Sequence, residues 1–136
     1  MGVSINDDIF KDASVETSAS YFWIENDNIV RIVNKPCAVH HEKDATENIL
    51  LLREKVKGVP PLLLIDTTHI KSMTREAREV YAKESIDKRV KAIALVTSST
   101  LGRIVANFFF GFNKPEVPIK LFNNDTAARE WLKKQK

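Results

Sequence analysis

The sequence has little of the material that defines several protein classes. Its 136 residues include a single cysteine, Cys37, so no internal disulfide can form and a reducing compartment fits the chain. The longest nearly apolar run, Ile104–Phe112, is interrupted by Asn107 and is far too short to cross a bilayer. Internal repeats and low-complexity segments are also missing. These absences exclude secreted disulfide scaffolds, membrane-spanning helices and long repeat arrays.

Motifs for targeting and for nucleotide binding are missing as well. Residues 1–8 lack the basic-then-apolar layout of a signal peptide, and Asn6 stands where myristoylation requires Ser or Thr. Neither Gly-x-x-x-x-Gly-Lys-Ser/Thr nor Gly-x-Gly-x-x-Gly occurs, so nothing supports a nucleotide site. We therefore expect a cytoplasmic protein without a transmembrane segment and without a bound cofactor.

Charge divides the chain into an acidic beginning and a basic remainder. Residues 1–27 hold six acidic side chains against one lysine, a net charge of −5, whereas the other residues carry +8. Residues 1–19 are polar, small and aperiodic, which predicts a flexible arm followed by a single domain over residues 20–136. The basic residues are mixed with acids and form no run interleaved with aromatics, so we expect no nucleic-acid binding.

The pattern of apolar residues predicts an α/β fold. Two β-rich runs, Tyr21–Ile24 and Ile29–Val33, are joined by a turn and predict an antiparallel hairpin. The apolar runs Leu62–Ile65 and Lys91–Val96 are typical of parallel strands that are covered on both faces. Helical segments are predicted at 44–57, from 73, at 101–112 and from 125, with a short strand at 118–122. This order predicts a single-domain mixed β-sheet with an opening antiparallel hairpin followed by right-handed βαβ units.

Capping patterns mark two of the predicted helix starts. The segment Asp44–Glu47 has the spacing of a capping box, with Asp44 as its first member. The segment Asn123–Asp125 supplies short polar side chains that predict the cap of the final helix.

The residues with reactive side chains form no complete site. Cys37, His40 and His41 could be a nucleophile pair or part of a zinc site, but the Cys-x-x-His spacing lacks a second ligand pair. Adjacent histidines on an extended segment point to opposite faces and cannot easily share one ion. We favour a semi-buried Cys37 and two polar surface histidines, with no metal and no catalytic residue. Asp66, near His69, could orient a water molecule or hold a cation, or it could accept hydrogen bonds from the turn that follows it.

A polar segment opens the helix predicted at 101–112. Ser98, Ser99 and Thr100 precede its N-terminus, where free backbone N–H groups and the helix dipole favour an anion. Arg103 could assist in binding that anion. The alternative is that Ser99 or Thr100 only caps the helix.

The helix predicted at 101–112, here called the Phe-rich segment, is apolar around more of its circumference than a sheet covers. Phe112 belongs to its main apolar stripe, whereas Phe109 and Phe110 lie beside that stripe. The additional aromatic surface could contact a partner protein, a second copy of the chain or an apolar ligand. A thick contact within the protein's own core is the alternative.

Two stretches of the sequence resemble a group of small uncharacterised bacterial proteins. The first stretch comprises Asn107–Pro115, Pro118, Phe122 and Ala128–Leu132, and the second comprises Pro61–Asp66 followed by Ser72–Arg78. Over roughly residues 21–133 the chain is similar to members of the SpoIIAA-like, STAS-related superfamily. This resemblance implies a mixed sheet with helices packed mostly on one face.

The resemblance also implies where a regulatory switch would lie. Anti-sigma-factor antagonists of this superfamily are phosphorylated on a Ser at the start of the second helix, in an Asp-Ser-Ser-Gly-like segment. The corresponding residues 69–75 lack that segment, and Ser72 or Thr74 would be the phosphate acceptor. Capping of the helix by one of these two residues is the alternative.

Together, these features predict a non-enzymatic regulatory or protein-interaction module of the STAS type. The alternative is a small apolar-ligand or lipid-binding protein with a cleft beside the Phe-rich segment. A protein partner or self-association is expected, and a homodimer is the commonest form of self-association.

Overall fold

The computed structural model describes residues 15–25, 28–36, 39–56, 58–86, 89–98 and 117–135. The strands are β1 (Val15–Glu16), β2 (Ser20–Ile24), β3 (Ile29–Asn34), β4 (Val39–His40), β5 (Leu62–Asp66), β6 (Ser72–Met73), β7 (Ala92–Val96) and β8 (Ile119–Phe122). The helices are α1 (Glu42–Lys55), α2 (Arg75–Ile86) and α3 (Asp125–Lys133). Within these ranges, no helix combines the length and the apolar character that a membrane crossing demands.

A six-stranded mixed sheet forms the centre of the fold, in the order β1-β2-β3-β5-β7-β8. Strands β1, β2 and β3 pair antiparallel, and β3, β5, β7 and β8 pair parallel. The hairpin register places Phe22 opposite Ile32. Asn28, which ends the hairpin connection, has a φ of 62°, a left-handed conformation that Asn tolerates well. The predicted mixed sheet with an opening hairpin is confirmed.

Strand β7 is buried along its whole length and β5 at its first three residues, as their continuous apolar runs predict. One face of the sheet presents large side chains, including Leu63 and Leu95, to a core that also contains Leu52 of α1. The other face presents Ala92 and Ala94, whose small side chains leave room for the residues of α3 that pack there. The two faces therefore have separate cores.

Two of the three described helices, α1 and α2, pack against each other and cover the same face of the sheet. Helix α3 covers the opposite face through Ala128 and Leu132, both of which are fully buried. Arg129 of α3 donates hydrogen bonds of 3.1 and 2.8 Å to the Glu25 carboxylate and thereby links α3 to the hairpin. The expectation of helices mostly on one face is confirmed for the described helices.

The ordered structure begins before the boundary that the sequence predicts. Strand β1 pairs with β2 through Val15 and Glu16, and Thr17 and Ala19 are buried. The Thr17 hydroxyl donates a 2.6 Å hydrogen bond to Asn48 Oδ1 on α1. The short polar side chains of this segment are therefore bonded to α1 rather than solvated, and residues 15–19 join the domain. The rest of the predicted arm, residues 1–14, lies outside the described residues.

The helix starts agree only in part with the predicted caps. Helix α1 begins at Glu42, and Asp44 accepts a 2.9 Å hydrogen bond from the backbone N–H of His41. Asp44 is thus the third helical residue and not the N-cap, so that prediction is wrong by three positions. The predicted cap of the last helix is confirmed, because Asn124 Oδ1 accepts a 2.8 Å hydrogen bond from the N–H of Ala127.

A pair of leucine variants tests the packing of α3 on the sheet. Leu132 is fully buried, whereas Leu50 on α1 is 57% exposed. We expect Leu132→Ala to lower the free energy of unfolding by about 2–5 kcal/mol, because it removes buried methyl groups and leaves a cavity. The matched control Leu50→Ala should change it by less than about 0.5 kcal/mol. Urea denaturation followed by circular dichroism measures both values, and equal losses would contradict this packing.

Candidate functional site

A chain of buried polar side chains crosses the core on the face covered by α1 and α2. Asn34 Nδ2 at the end of β3 donates a 3.3 Å hydrogen bond to the carbonyl of Asp66. The Ser20 hydroxyl donates to Asn34 Oδ1 at 3.0 Å. Asn48 Nδ2 on α1 donates to the Ser20 oxygen at 3.2 Å and to the Tyr81 hydroxyl at 2.9 Å. These bonds connect three strands and both helices through side chains that are shielded from water.

The chain ends at His40, which the two-stranded parallel pairing of β4 with β6 holds in place. His40 is 1% exposed, and its Nδ1 lies 2.8 Å from the Tyr81 hydroxyl. Its Nε2 is buried and has no hydrogen-bond partner among the described residues. Natural proteins leave few buried polar atoms without a hydrogen-bond partner, so this nitrogen needs a specific explanation.

Burial keeps both members of the His40–Tyr81 pair uncharged at neutral pH. It lowers the pKa of His40 to about 4, although the Asp44 carboxylate acts in the opposite direction. Burial also raises the pKa of the Tyr81 phenol well above its usual value, against the effect of the Asn48 hydrogen bond. The pair therefore offers neutral hydrogen-bonding groups and not an acid or a base poised near pH 7.

The interpretation of both histidines as surface groups is wrong for His40. The predicted alternation is correct, since His41 is exposed and His40 is buried. Alternation along an extended segment requires one inward residue, but it does not say which of two histidines takes that place. The contacts of β4 with β6 and α2 decide it, because the N–H of Thr74 donates a 2.9 Å hydrogen bond to the His40 carbonyl.

His40 and Tyr81 border a cavity of about 70 Å³ between the sheet and helices α1 and α2. This volume has room for a few water molecules or one small organic molecule. Most of the lining is apolar, from Phe22, Ile32, Ile49, Leu52, Leu63, Ile65, Met73, Ile93, Leu95 and Ile119. The polar lining residues are Asn34, His40, Asn48, Thr67, Tyr81 and Glu84. An apolar enclosure with a few convergent polar groups is typical of a small-molecule site.

Glu84 carries the only formal charge among those described lining residues. Its side chain is almost fully buried, and its carboxylate accepts a 2.7 Å hydrogen bond from Arg53 of α1. The guanidinium of Arg53 remains partly exposed. The pair thus compensates the buried carboxylate at the boundary between cavity and solvent.

The sequence-predicted phosphate acceptors lie at the start of α2. Thr74 Oγ1 accepts a 3.1 Å hydrogen bond from the N–H of Ala77, so Thr74 caps the helix. Ser72 lies on β6 and is exposed. The capping alternative is confirmed for Thr74, and phosphorylation of either residue stays a prediction.

The ends of β5 and β7 carry a turn network. The Asp66 carboxylate accepts a 2.8 Å hydrogen bond from the N–H of Thr68, which confirms its role in the turn. The N–H of Ser98 donates to the Thr68 hydroxyl at 3.1 Å, and His69 is exposed. The described part of the chain contains no group of three or more His, Cys, Asp or Glu residues that could hold a metal ion.

Several predicted site residues lie outside the described residues. They include Cys37, the other members of the predicted anion site, and the aromatic contacts, namely Ser99, Thr100, Arg103, Phe109, Phe110 and Phe112. The predictions for these positions therefore stay predictions.

A pH titration of stability tests the burial of His40. Unfolding exposes the imidazole, whose pKa returns from about 4 to 6.5. Below pH 6.5 the unfolded chain therefore binds a proton that the folded protein does not bind until about pH 4. We expect His40 to lower the free energy of unfolding by about 3 kcal/mol as the pH falls through this window.

The variants for this titration are His40→Gln and His69→Gln. His40→Gln should remove this part of the pH dependence, whereas the exposed control His69→Gln should keep it. Urea denaturation at a series of pH values gives the difference between the curves. Parallel curves for the wild type and His40→Gln would contradict the burial of a neutral His40.

Two solved structures of bacterial proteins are similar to this chain. A crystal structure of an uncharacterized DUF3478-family protein with a SpoIIAA-like fold, from Shewanella loihica PV-4, has 19% sequence identity and a TM-score of 0.62. The match covers 88% of this chain and 98% of that chain. A protein of unknown function from Arthrobacter sp. FB24 has 26% identity over 88% of this chain and 96% of its own, but its TM-score of 0.34 is too low to bear on the fold. The expected SpoIIAA-like fold is confirmed by the first structure.

The family assignment comes from a sequence model and not from a characterised relative. No curated protein matches the chain. A model described as a domain of unknown function, DUF7793, matches residues 22–136, which begin within β2 and include β3 to β8 and all three described helices. The chain therefore belongs to the DUF7793 family.

Proposed function

We propose that this domain is a binding module rather than an enzyme, and that its cavity receives a small, mainly apolar molecule. The observation that carries the proposal is the buried Nε2 of His40, which lacks a partner among the described residues beside a mostly apolar cavity. A ligand in the cavity would supply contacts to the apolar walls and a partner for this nitrogen. Both contributions favour an occupied cavity over an empty one.

The size of the cavity supports a small molecule over a long-chain lipid. The cavity of about 70 Å³ is about half the size of an engineered 150 Å³ cavity that takes benzene, so it has room for at most one small ring. A fatty-acyl chain would fit only if α1 or α2 moved away from the sheet. The uncharged states of His40 and Tyr81 at neutral pH support binding rather than proton transfer.

Native mass spectrometry and thermal denaturation together test ligand binding. We expect protein purified from bacterial cells to carry a small hydrophobic molecule, or the apo protein to be stabilised by the probe methylenecyclopentane. At a concentration of 100 times its Kd, a ligand stabilises the folded state by about 2.7 kcal/mol. The proposal would be contradicted if several preparations showed only the mass of the protein without a ligand and if methylenecyclopentane left the Tm of the protein unchanged.

Two isoleucine variants distinguish the cavity from non-specific binding. Ile65 lines the cavity and is partly exposed, whereas Ile24 is 44% exposed and is not among the lining residues. Ile65→Phe should fill part of the cavity and abolish the stabilisation by methylenecyclopentane. The matched control Ile24→Phe should retain it.

A second candidate function is contact with a protein partner. An open groove between β1 and α1 contains Leu50, which is 57% exposed, and its charged lining consists of four glutamates against one lysine, namely Glu16, Glu42, Glu47, Glu54 and Lys43. An exposed apolar side chain with acidic neighbours is suited to a basic protein surface. The predicted aromatic contacts of the Phe-rich segment would add a second surface for such a partner or for a second copy of the chain.

Light scattering after size-exclusion chromatography tests self-association through the Phe-rich segment. We expect a homodimer for the wild type and a monomer for Phe109→Asp and for Phe110→Asp, because a buried unpaired carboxylate opposes association. Phe109→Leu is the matched apolar control and should remain dimeric. Folded aspartate variants with the same mass as the wild type would contradict this contact.

A further inference from the structure

The polar network also specifies what kind of molecule the cavity would bind, and this inference rests on the proposed function. The direction of each hydrogen bond can be followed from a backbone carbonyl, whose role as an acceptor is fixed. The Asp66 carbonyl requires that Nδ2 of Asn34 faces it, which leaves Oδ1 of Asn34 to face Ser20. Asn34 Oδ1 is an acceptor, so the Ser20 hydroxyl proton points toward it.

The orientation of Asn48 follows from that of Ser20. Because the Ser20 proton is directed at Asn34, the Ser20 oxygen accepts from Asn48, and this requires the amide nitrogen of Asn48 on that side. The same nitrogen donates to the Tyr81 oxygen at 2.9 Å, and Asn48 Oδ1 accepts from Thr17 at 2.6 Å. A single orientation of the buried Asn48 amide therefore accounts for its two donated hydrogen bonds and the one that it accepts.

The last bond in the network is the one between Tyr81 and His40. The Tyr81 oxygen accepts from Asn48, and the phenol proton can be donated to His40 Nδ1, 2.8 Å away. A neutral imidazole that accepts at Nδ1 carries its proton on Nε2. In this tautomer, the buried Nε2 of the cavity-lining His40, which has no described partner, is a donor.

We infer that the ligand carries a hydrogen-bond acceptor, a neutral carbonyl oxygen, which binds to Nε2–H of His40 while its apolar part contacts the walls. A carboxylate is disfavoured because the described lining contains Glu84 and no Lys or Arg. A buried anion would then lack a compensating charge and lie near a carboxylate. A small ketone, aldehyde, ester or amide satisfies both the donor and the apolar surface.

Nitrogen-15 NMR of His40 in the protein without added ligand tests the proton assignment directly. We expect the chemical shifts of a neutral imidazole protonated on Nε2. Tyr81→Phe removes the hydroxyl that holds Nδ1 as an acceptor, so the proton should then distribute between the two nitrogens. A wild-type spectrum with the proton on Nδ1 would overturn the inference while leaving ligand binding in the cavity intact.

Two isosteric probes test the ligand class, cyclopentanone with a carbonyl oxygen and methylenecyclopentane with a CH₂ group in its place. Because water solvates the ketone more strongly, the informative quantity is the ratio of the two dissociation constants, compared between proteins. We expect the preference for the ketone to be about tenfold greater in the wild type than in His40→Phe, which lacks the donor. Cyclopentanone should also shift the His40 Nε2–H resonance.

The outcomes separate this inference from the proposed function. If neither probe binds to the wild type, both the ligand-binding function and the ligand class are wrong. If both probes bind and the ratio is the same in the wild type and in His40→Phe, the cavity binds apolar molecules without an acceptor preference. Should His40→Phe fail to fold, the nitrogen-15 result and the shift of the Nε2–H resonance decide between these outcomes.

Discussion

The side chain of Asn48 is the contact on which the architecture of the site depends. It lies on the buried face of α1 and bonds to Thr17 before β2, to Ser20 on β2 and to Tyr81 on α2. One amide thus ties the beginning of the domain, the sheet and the second helix to the first helix. Because a buried amide costs free energy unless its atoms are bonded, these segments must meet in one arrangement for the helix to pack.

Local patterns explain why most of the sheet and the cap of the last helix could be predicted. The runs Leu62–Ile65 and Ala92–Val96 are apolar throughout because α1 and α2 cover one face of the sheet and α3 covers the other. Asn124 has the short side chain that a helix N-terminus selects. Strands β1, β4 and β6 have two residues each and no such pattern. They form because partners elsewhere in the fold complete their hydrogen bonds, which local propensity does not report.

The polar network could not be predicted for a related reason. Its bonds join residues separated by 14, 28, 33 and 41 positions, so no spacing within one helix or one strand connects them. Two signals were present in the sequence. Tyr81 lies four residues after the buried Ala77, on the same face of α2, and Asn48 occurs beside Ile49 on the buried side of α1. A polar residue at a buried helical position implies a partner, but only the folded chain identifies that partner.

The short pairing of β4 with β6 has a mechanical consequence. Thr74, which follows β6, donates its N–H to the His40 carbonyl and caps the helix that carries Tyr81. Thr74 is therefore bonded to the backbone of His40 and also to the helix that carries Tyr81. It acts as a spacer that sets the distance between imidazole and phenol. The position of Thr74, which is only partly buried, thereby affects the geometry of the His40–Tyr81 pair in the interior.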